Sequence, residues 1–298
     1  MMHSELYICT MLNIGIIGDI SALEKYILQI RKNKNAQIIG KSSVGINRSP
    51  ENFQFTIPEF NKVELIDRAD VLIINNFSLL SFSTLCGIVK KSKHIFATDY
   101  PELTVEECRH LVKLTSEAKT IFQLLNPFYN LDAMRWLNEN LKYPALLDVS
   151  CFKPDAKMDK LLIQLLLMLK GTTKTDAKKT GAVTFKGSSD HSVFHNLNLQ
   201  FGDASVVNIN YGKMDVNNEF ILKSYADGQF VLFNFNTKIF TVNNSPINLK
   251  PYSSITELEL FIDSANGKKH TITLIEDYST VIEGIQKIEK KMSQFSGQ

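Results

Sequence analysis

The chain has 298 residues, 44% of them hydrophobic and 10% aromatic, which is enough to bury a large core and beyond the size at which one core ordinarily divides in two. Lys and Arg number 33 against 31 Asp and Glu, a net charge of +2 with no basic run interleaved with stacking aromatics, which argues against nucleic acid as a partner. No stretch reaches the roughly 18 consecutive apolar residues of a membrane span, so a membrane partner is not expected either.

From the N-terminal end, Met1 to Met11 carries neither a basic segment nor a small-residue cleavage site. Leu12 to Ile17 is a short apolar run closed by Gly18. Ala22, Leu23, Tyr26, Ile27 and Ile30 then recur at helical spacing behind Ser21, a helix-capping residue type, so the chain starts strand, tight turn, helix. Gln37 to Gly40 reads as a second strand, and Val44 to Phe60, with Pro50 and Pro58, as irregular or briefly extended. Val71 to Ile74 is apolar throughout, the mark of a strand buried on both faces in a parallel sheet. Helix is expected over Leu79 to Val89, strand over His94 to Ala97, helix over Thr104 to Ala118 and strand over Ile121 to Leu125. Thr104 and Glu107 form a capping box over an acidic first turn. A further helix over Asn130 to Leu141 ends at Tyr143-Pro144.

After Ala145 the pattern changes. One helix over Asp159 to Leu169 is followed by short alternating runs at Ala182 to Phe185, Val206 to Ile209, Phe220 to Tyr225, Phe230 to Asn234 and Lys238 to Val242, with Asp227-Gly228 as a hairpin signal. Gly171 to Gly181 reads as a mobile loop. Tyr278 to Met292 closes the chain as an amphipathic helix. The fold class is therefore α/β: a Rossmann-like doubly wound parallel sheet over residues 1–143, then an α+β domain with a large, mostly antiparallel open sheet over 144–298. The last helix, about residues 278–294, is expected to pack back on the first domain. The cysteines Cys9, Cys86, Cys108 and Cys151 form no CxxC pair, and a reduced, cytoplasmic setting is expected.

GIIG at Gly15 to Gly18, ELIDRADVLII at Glu64 to Ile74, KHIFATDYPELTVEEC at Lys93 to Cys108 and the closing helix together resemble the Gfo/Idh/MocA, or glucose-fructose oxidoreductase-like, family. The resemblance implies a nicotinamide dinucleotide cofactor, a sugar-like substrate and a catalytic Lys in a Glu-Lys-Pro corner. In such proteins a GxGxxG turn cradles the pyrophosphate. The matching residues here are Gly18, Asp19, Ile20, Ser21, Ala22 and Leu23, so only the first glycine is kept, and Ile20 is expected to project where the pyrophosphate would lie. The acidic ribose reader after the second strand is replaced by Lys41, Ser42 and Ser43, a set that prefers NADP to NAD if either binds.

The Glu-Lys-Pro corner reads Asp99, Tyr100 and Pro101, leaving Tyr100 as the candidate proton donor with Asp99 beside it, and the family's Thr-Pro reads Asn75-Asn76. Asn126 stands at another strand end, in the turn Asn126 to Asn130, where ligands bind in such sheets. In the second domain the family's Asp and His fall on Phe152 and Ala156, ahead of Asp159. His191 and His195, with Asp190, pose a metal question that ordinary surface histidines answer better. Cofactor-binding candidates are thus Gly18, Asp19, Ile20, Ser21, Ser42, Asn75, Asn76, Pro101 and Asn126; no metal is expected. Two functions compete: hydride transfer with Tyr100 in place of the lysine, and a catalytically silent relative that binds or assembles, pairing with itself or an active paralogue. A ligand sensor is a third. The open C-terminal sheet is expected to form a homodimer.

Overall fold

A computed structural model of the chain describes residues 11–43, 56–154, 157–173, 175–186, 193–213, 218–249, 255–270 and 272–295. In chain order the elements are β1 (Leu12–Ile17), α1 (Glu24–Lys32), β2 (Ala36–Ser42), α2 (Lys62–Arg68), β3 (Val71–Ile74), α3 (Phe82–Lys90), β4 (His94–Ala97), α4 (Val105–Ala118), β5 (Phe122–Leu124) and α5 (Asp132–Asn140). They continue with β6 (Leu146–Phe152), α6 (Met158–Thr172), β7 (Ala177–Lys186), β8 (Val193–Phe201), β9 (Val206–Lys213), β10 (Glu219–Ala226), β11 (Gln229–Asn234), β12 (Ile239–Val242), β13 (Ser245–Pro246), α7 (Glu257–Ala265) and α8 (Ile275–Phe295). Two compact units emerge: one runs to Leu125 and takes back Ile255–Ser279, the other comprises Asn126–Ser254 and continues from Thr280.

The first unit is built on a parallel five-stranded sheet in the order β2-β1-β3-β4-β5. A parallel bridge from Lys41 to Glu59 adds a sixth chain segment outside β2, fixed by Lys41 N donating to Pro58 O and Phe60 N to Lys41 O. With that segment counted, the spatial order is the six-stranded one of dinucleotide-binding sheets, and the crevice between β1 and β3 is the point where the strand order reverses. Helices cover both faces because the strands are apolar on both: all four residues of β3 are buried. On one face Ile14, Ile16, Ile73 and Phe96 pack with Tyr26, Ile27 and Ile30 of α1 and Leu258, Phe261 and Ile262 of α7. Each such side chain contributes roughly 1.5–3 kcal/mol by leaving water. The capping box of α4 forms as expected: the Glu107 amide donates to Thr104 Oγ1 and the Thr104 amide to the Glu107 carboxylate.

In the second unit one mixed sheet has the order β13-β12-β11-β10-β6-β9-β8-β7, antiparallel throughout except for the β6–β9 pair. Its inner face is apolar by alternation, with Leu147, Val149 and Cys151 of β6 beside Val207, Ile209 and Tyr211 of β9. The run Leu161–Leu169, apolar all round but for Gln164, makes α6 a buried helix. Of the stretch expected as a mobile loop, Gly171 to Gly181, the first two residues end α6 and those from Ala177 onward begin β7. Pairing with β8, which places Thr180 opposite Leu199 and Ala182 opposite Leu197, supplies backbone partners that the polar local composition does not reveal. Among the described residues no helix is long and apolar enough to cross a membrane.

Candidate functional site

The carboxyl ends of β1, β3 and β4 lie side by side, Ile17 opposite Ile74 and Ile74 opposite Ala97, and the residues that follow them form the crevice floor of the first unit. Gly18 leaves β1 with φ +129°, a conformation that L side chains rarely adopt, and its amide donates to Ser42 O. Asn75, the first residue past β3, reaches across the crevice. Its Oδ1 accepts the Asp19 amide at 2.8 Å and its Nδ2 donates to the Asp19 carbonyl at 2.7 Å. A methyl group on Gly18 would stand 1.7 Å from that Oδ1, so the glycine is required by both its backbone and its neighbour.

Asp19 then turns its carboxylate onto the turn it belongs to. Oδ1 accepts the Ser21 amide at 2.9 Å and the Ser21 hydroxyl at 2.7 Å. Along Gly18–Leu23 four of six backbone N–H groups are thereby engaged internally: Gly18 on Ser42 O, Asp19 on Asn75, Ser21 on Asp19 and Leu23 on Ile20 O. Anion binding at such a turn depends on those N–H groups pointing outward and on an absence of competing negative charge. Here the anion is supplied from within, and Glu24 adds a second acid at the first turn of α1. The residues present do not fit a dinucleotide pyrophosphate. Ile20 takes no part in this. Its side chain is 2% exposed and packs into the apolar core with Ile14, Leu23 and Ile27, because the short helical turn at Ser21–Leu23 directs it inward rather than over the crevice.

At the end of β2, Ser42 is buried. Lys41 and Ser43 both turn to Glu59: the ammonium lies 3.3 Å from Oε2, and the Ser43 amide and hydroxyl reach Oε1 at 2.8 and 2.9 Å. Burial works to raise the Glu59 pKa, but the hydrogen bonds from Ser43 and Lys41 outweigh it and hold the carboxyl below its usual range. The cationic corner expected for a 2′-phosphate thus already holds a carboxylate. Glu59 is absent from the sequence reading; the signal available for it was its place behind Pro58 in an extended stretch, one strand beyond β2.

Past β4, Asp99 accepts the amide of Tyr100, and the Tyr100 hydroxyl donates to Leu125 O at 2.9 Å. The Tyr100 ring is 8% exposed and stacks on Tyr278 at 6.1 Å and an interplanar angle of 3°. Tyr278 in turn donates to the carbonyl of Pro101, and burial first, then the charges of Cys108, Tyr100, Asp99 and Glu102, pushes its hydroxyl far above the ordinary tyrosine value. Asn76 caps the turn Phe77–Leu79 through Ser78. Gly18, Asp19, Ser21, Ser42 and Asn75 are therefore brought into one hydrogen-bonded cluster.

Asn126 belongs to the second unit, where its amide donates to Leu167 O, and Phe128 beside it packs edge-on against Phe220 and Phe235. Phe152, at the end of β6, stands edge-on to Phe194. Ala156, Asp190 and His191 lie outside the described residues. His195 is held low by burial, bonds Thr184 Oγ1 at 3.0 Å and stacks on Tyr211. Among the described residues no group of three or more His, Cys, Asp and Glu could hold a metal ion.

No protein-family model matches the sequence, and no curated protein is significantly similar to it. Solved structures are similar in fold. UDP-N-acetylglucosamine 3-dehydrogenase GnnA from Acidithiobacillus ferrooxidans superposes with a TM-score of 0.82 at 14% identity, over 95% of this chain and 98% of that one. A Synechocystis biliverdin reductase, solved with biliverdin and NADP+, gives 0.76 at 15% identity over 95% and 100%. The WlbA dehydrogenase from Bordetella pertussis, solved with NADH and UDP-GlcNAcA, gives 0.73 at 10% identity over 95% and 96%. What this chain shares with these Gfo/Idh/MocA-type dehydrogenases, along nearly its whole length, is their fold.

Proposed function

We propose that the chain is an oxidoreductase-fold protein that has lost NAD(P)-dependent hydride transfer and keeps its body as a module for binding a sugar-like small molecule and for assembly. The observation that carries this reading is the Asp19 carboxylate seated on the Ser21 amide and hydroxyl, in the turn where a dinucleotide would place its pyrophosphate. The engaged Tyr100 hydroxyl supports it independently, since a proton donor must be within reach of the group it protonates. The residue that takes the place of the family's lysine instead ties the loop after β4 to the end of β5.

A working dehydrogenase is the second reading, and Glu59 favours it, being an acid at the edge of the crevice where a ribose hydroxyl would be bound. On that reading the cofactor is NAD rather than NADP, because a 2′-phosphate would meet the Glu59 carboxylate instead of a free Lys41. Titration with NADH and NADPH, followed by nicotinamide fluorescence and thermal shift, separates the two. The silent reading expects no saturation by either cofactor up to millimolar concentration and a gain of NADH affinity in Asp19→Gly. Saturable sub-millimolar binding of NADH by the wild-type chain would overturn it.

A homodimer through the outer face of the second unit's sheet accompanies both readings. That face carries a ladder of amides, Asn196 on Asn210 at 2.8 Å and Asn198 on Asn208 at 2.7 Å, with apolar residues such as Phe194 and Ile221 on the same face. Light scattering on the purified protein tests it, and a monomer at all concentrations removes it. Buried free thiols at Cys86, Cys108 and Cys151 support a reducing, cytoplasmic setting.

A further inference from the structure

The second unit holds a cavity of about 320 Å³ bounded by α6, by β7 and β8, and by α8. Ligand sites begin at about that size, roughly 300 Å³. Its floor is apolar and made of side chains withdrawn from water: Leu166 and Leu169 of α6, Leu199 of β8, and Val281 and Ile288 of α8 are each 9% exposed or less. Buried leucines that face open volume forgo dispersion contacts on that side, and an apolar occupant restores them. Lys170, one helical turn beyond Leu166 and so on the same face of α6, stands in the wall with its side chain about two-thirds buried. Asp176 lies 3.8 Å from its ammonium, beyond hydrogen-bond distance, with 83% of its side chain in water.

Thr280, Gly284 and Ile288 present one stripe of α8 to the same volume, at the i, i+4, i+8 spacing of a helix face. Apart from proline, glycine is the poorest helix former. At Gly284 nothing lies within 4 Å of where a Cβ would be. The missing side chain leaves the cavity open and serves no packing need.

We propose that this cavity binds a small amphipathic monocarboxylate, its hydrocarbon tail on the leucine floor and its carboxylate on Lys170. The volume admits on the order of ten non-hydrogen atoms, at roughly the 30 Å³ that a water molecule occupies in the liquid. The proposal stands apart from the hydride-transfer question, since every lining residue belongs to the second unit.

Sodium octanoate, 1-octanol and octylamine titrated into the full-length protein, with thermal shift and calorimetry as readouts, provide the test. Octanoate should bind saturably and more tightly than octanol, and octylamine most weakly. Lys170→Gln should weaken octanoate about tenfold, the loss of one charge-assisted hydrogen bond, and leave octanol unchanged. Asp176→Asn should strengthen octanoate by removing the competing carboxylate. Gly284→Leu should abolish binding of all three by filling the cavity; Thr280→Leu, at an exposed position in the same stripe, does the same by a change that the fold tolerates. Absence of saturable octanoate binding overturns the proposal. So does octanol binding as tightly as octanoate, an unchanged octanoate affinity in Lys170→Gln, or binding that survives in a folded filling variant.

Discussion

Replacing Gly18 by alanine tests the idea that Asn75 and the turn after β1 form one locked unit. Two costs are separable. The φ of +129° lies outside the range of L residues, a strain of about 1–3 kcal/mol for alanine. The new methyl would also stand 1.7 Å from Asn75 Oδ1, so that side chain must withdraw and give up both its bonds to Asp19, about 1 kcal/mol each. Gly18→Ala should therefore destabilise by about 3–5 kcal/mol, and Asn75→Ala alone by about 2 kcal/mol. In the double variant the clash has been removed in advance and only the backbone strain adds to the lost bonds, so its total should again be about 3–5 kcal/mol, with a coupling near 2 kcal/mol. Urea unfolding followed by far-ultraviolet circular dichroism measures all three. Costs that simply add, to within about 0.5 kcal/mol, would mean that the side chain of Asn75 does not meet Gly18 and would refute the lock.

Tyr100→Phe should cost about 1 kcal/mol, the hydrogen bond to Leu125 O, by the same unfolding measurement; no loss of stability would show that the hydroxyl is held elsewhere. Thr104→Ala removes the cap of α4 and should cost about 1 kcal/mol, with Thr104→Ser close to wild type. Acidification should also destabilise the chain through His94. Burial holds that ring below its ordinary value of 6.5, against the opposing pull of Asp70, and Nδ1 accepts the Ile121 amide at 3.0 Å. The folded ring stays neutral where the unfolded ring takes a proton, so stability is level above about pH 6.5 and falls below it until the folded-state pKa is passed. His195, held low by burial, acts in the same direction. Melting temperatures across roughly pH 5 to 8 should show the fall, and an equal slope in His94→Gln/His195→Gln would exclude both rings as its source.

The sequence discloses features whose cause is local. Val71 to Ile74 is apolar without a break, and a strand with no polar position fits only between two layers, which is where β3 lies. The Thr104 and Glu107 cap is likewise written within four residues. A second capping box, Thr256 with Glu259, was equally available and marks α7, which the change of texture after Ala145 conceals. The crevice is different because its decisive contact joins residues 56 positions apart. No local pattern indicates that Asn75 will reach Asp19, or that Ile20 will turn into the core and leave the turn to a carboxylate. The Asp19-Ile20-Ser21 spacing does carry an Asx-turn signal, and it is the one trace of the closed turn legible in advance. Likewise β6 escapes notice because Asp148 and Ser150 fall on the sheet's outer face, which breaks the apolar run without ending the strand.

The segment Ile255–Ser279 sets the order in which the molecule can be finished. Leu258, Phe261 and Ile262 complete the core around β1 and β4, Thr273 O accepts the amide of Leu124, and Tyr278 stacks on Tyr100 while its hydroxyl holds the Pro101 carbonyl. None of these groups exists for the nascent chain until the residues of the second unit's eight strands have been made. During synthesis the parallel sheet must wait with one face covered only in part, by α1, so a fragment ending near residue 143 should behave as an aggregation-prone intermediate and not as an independent domain.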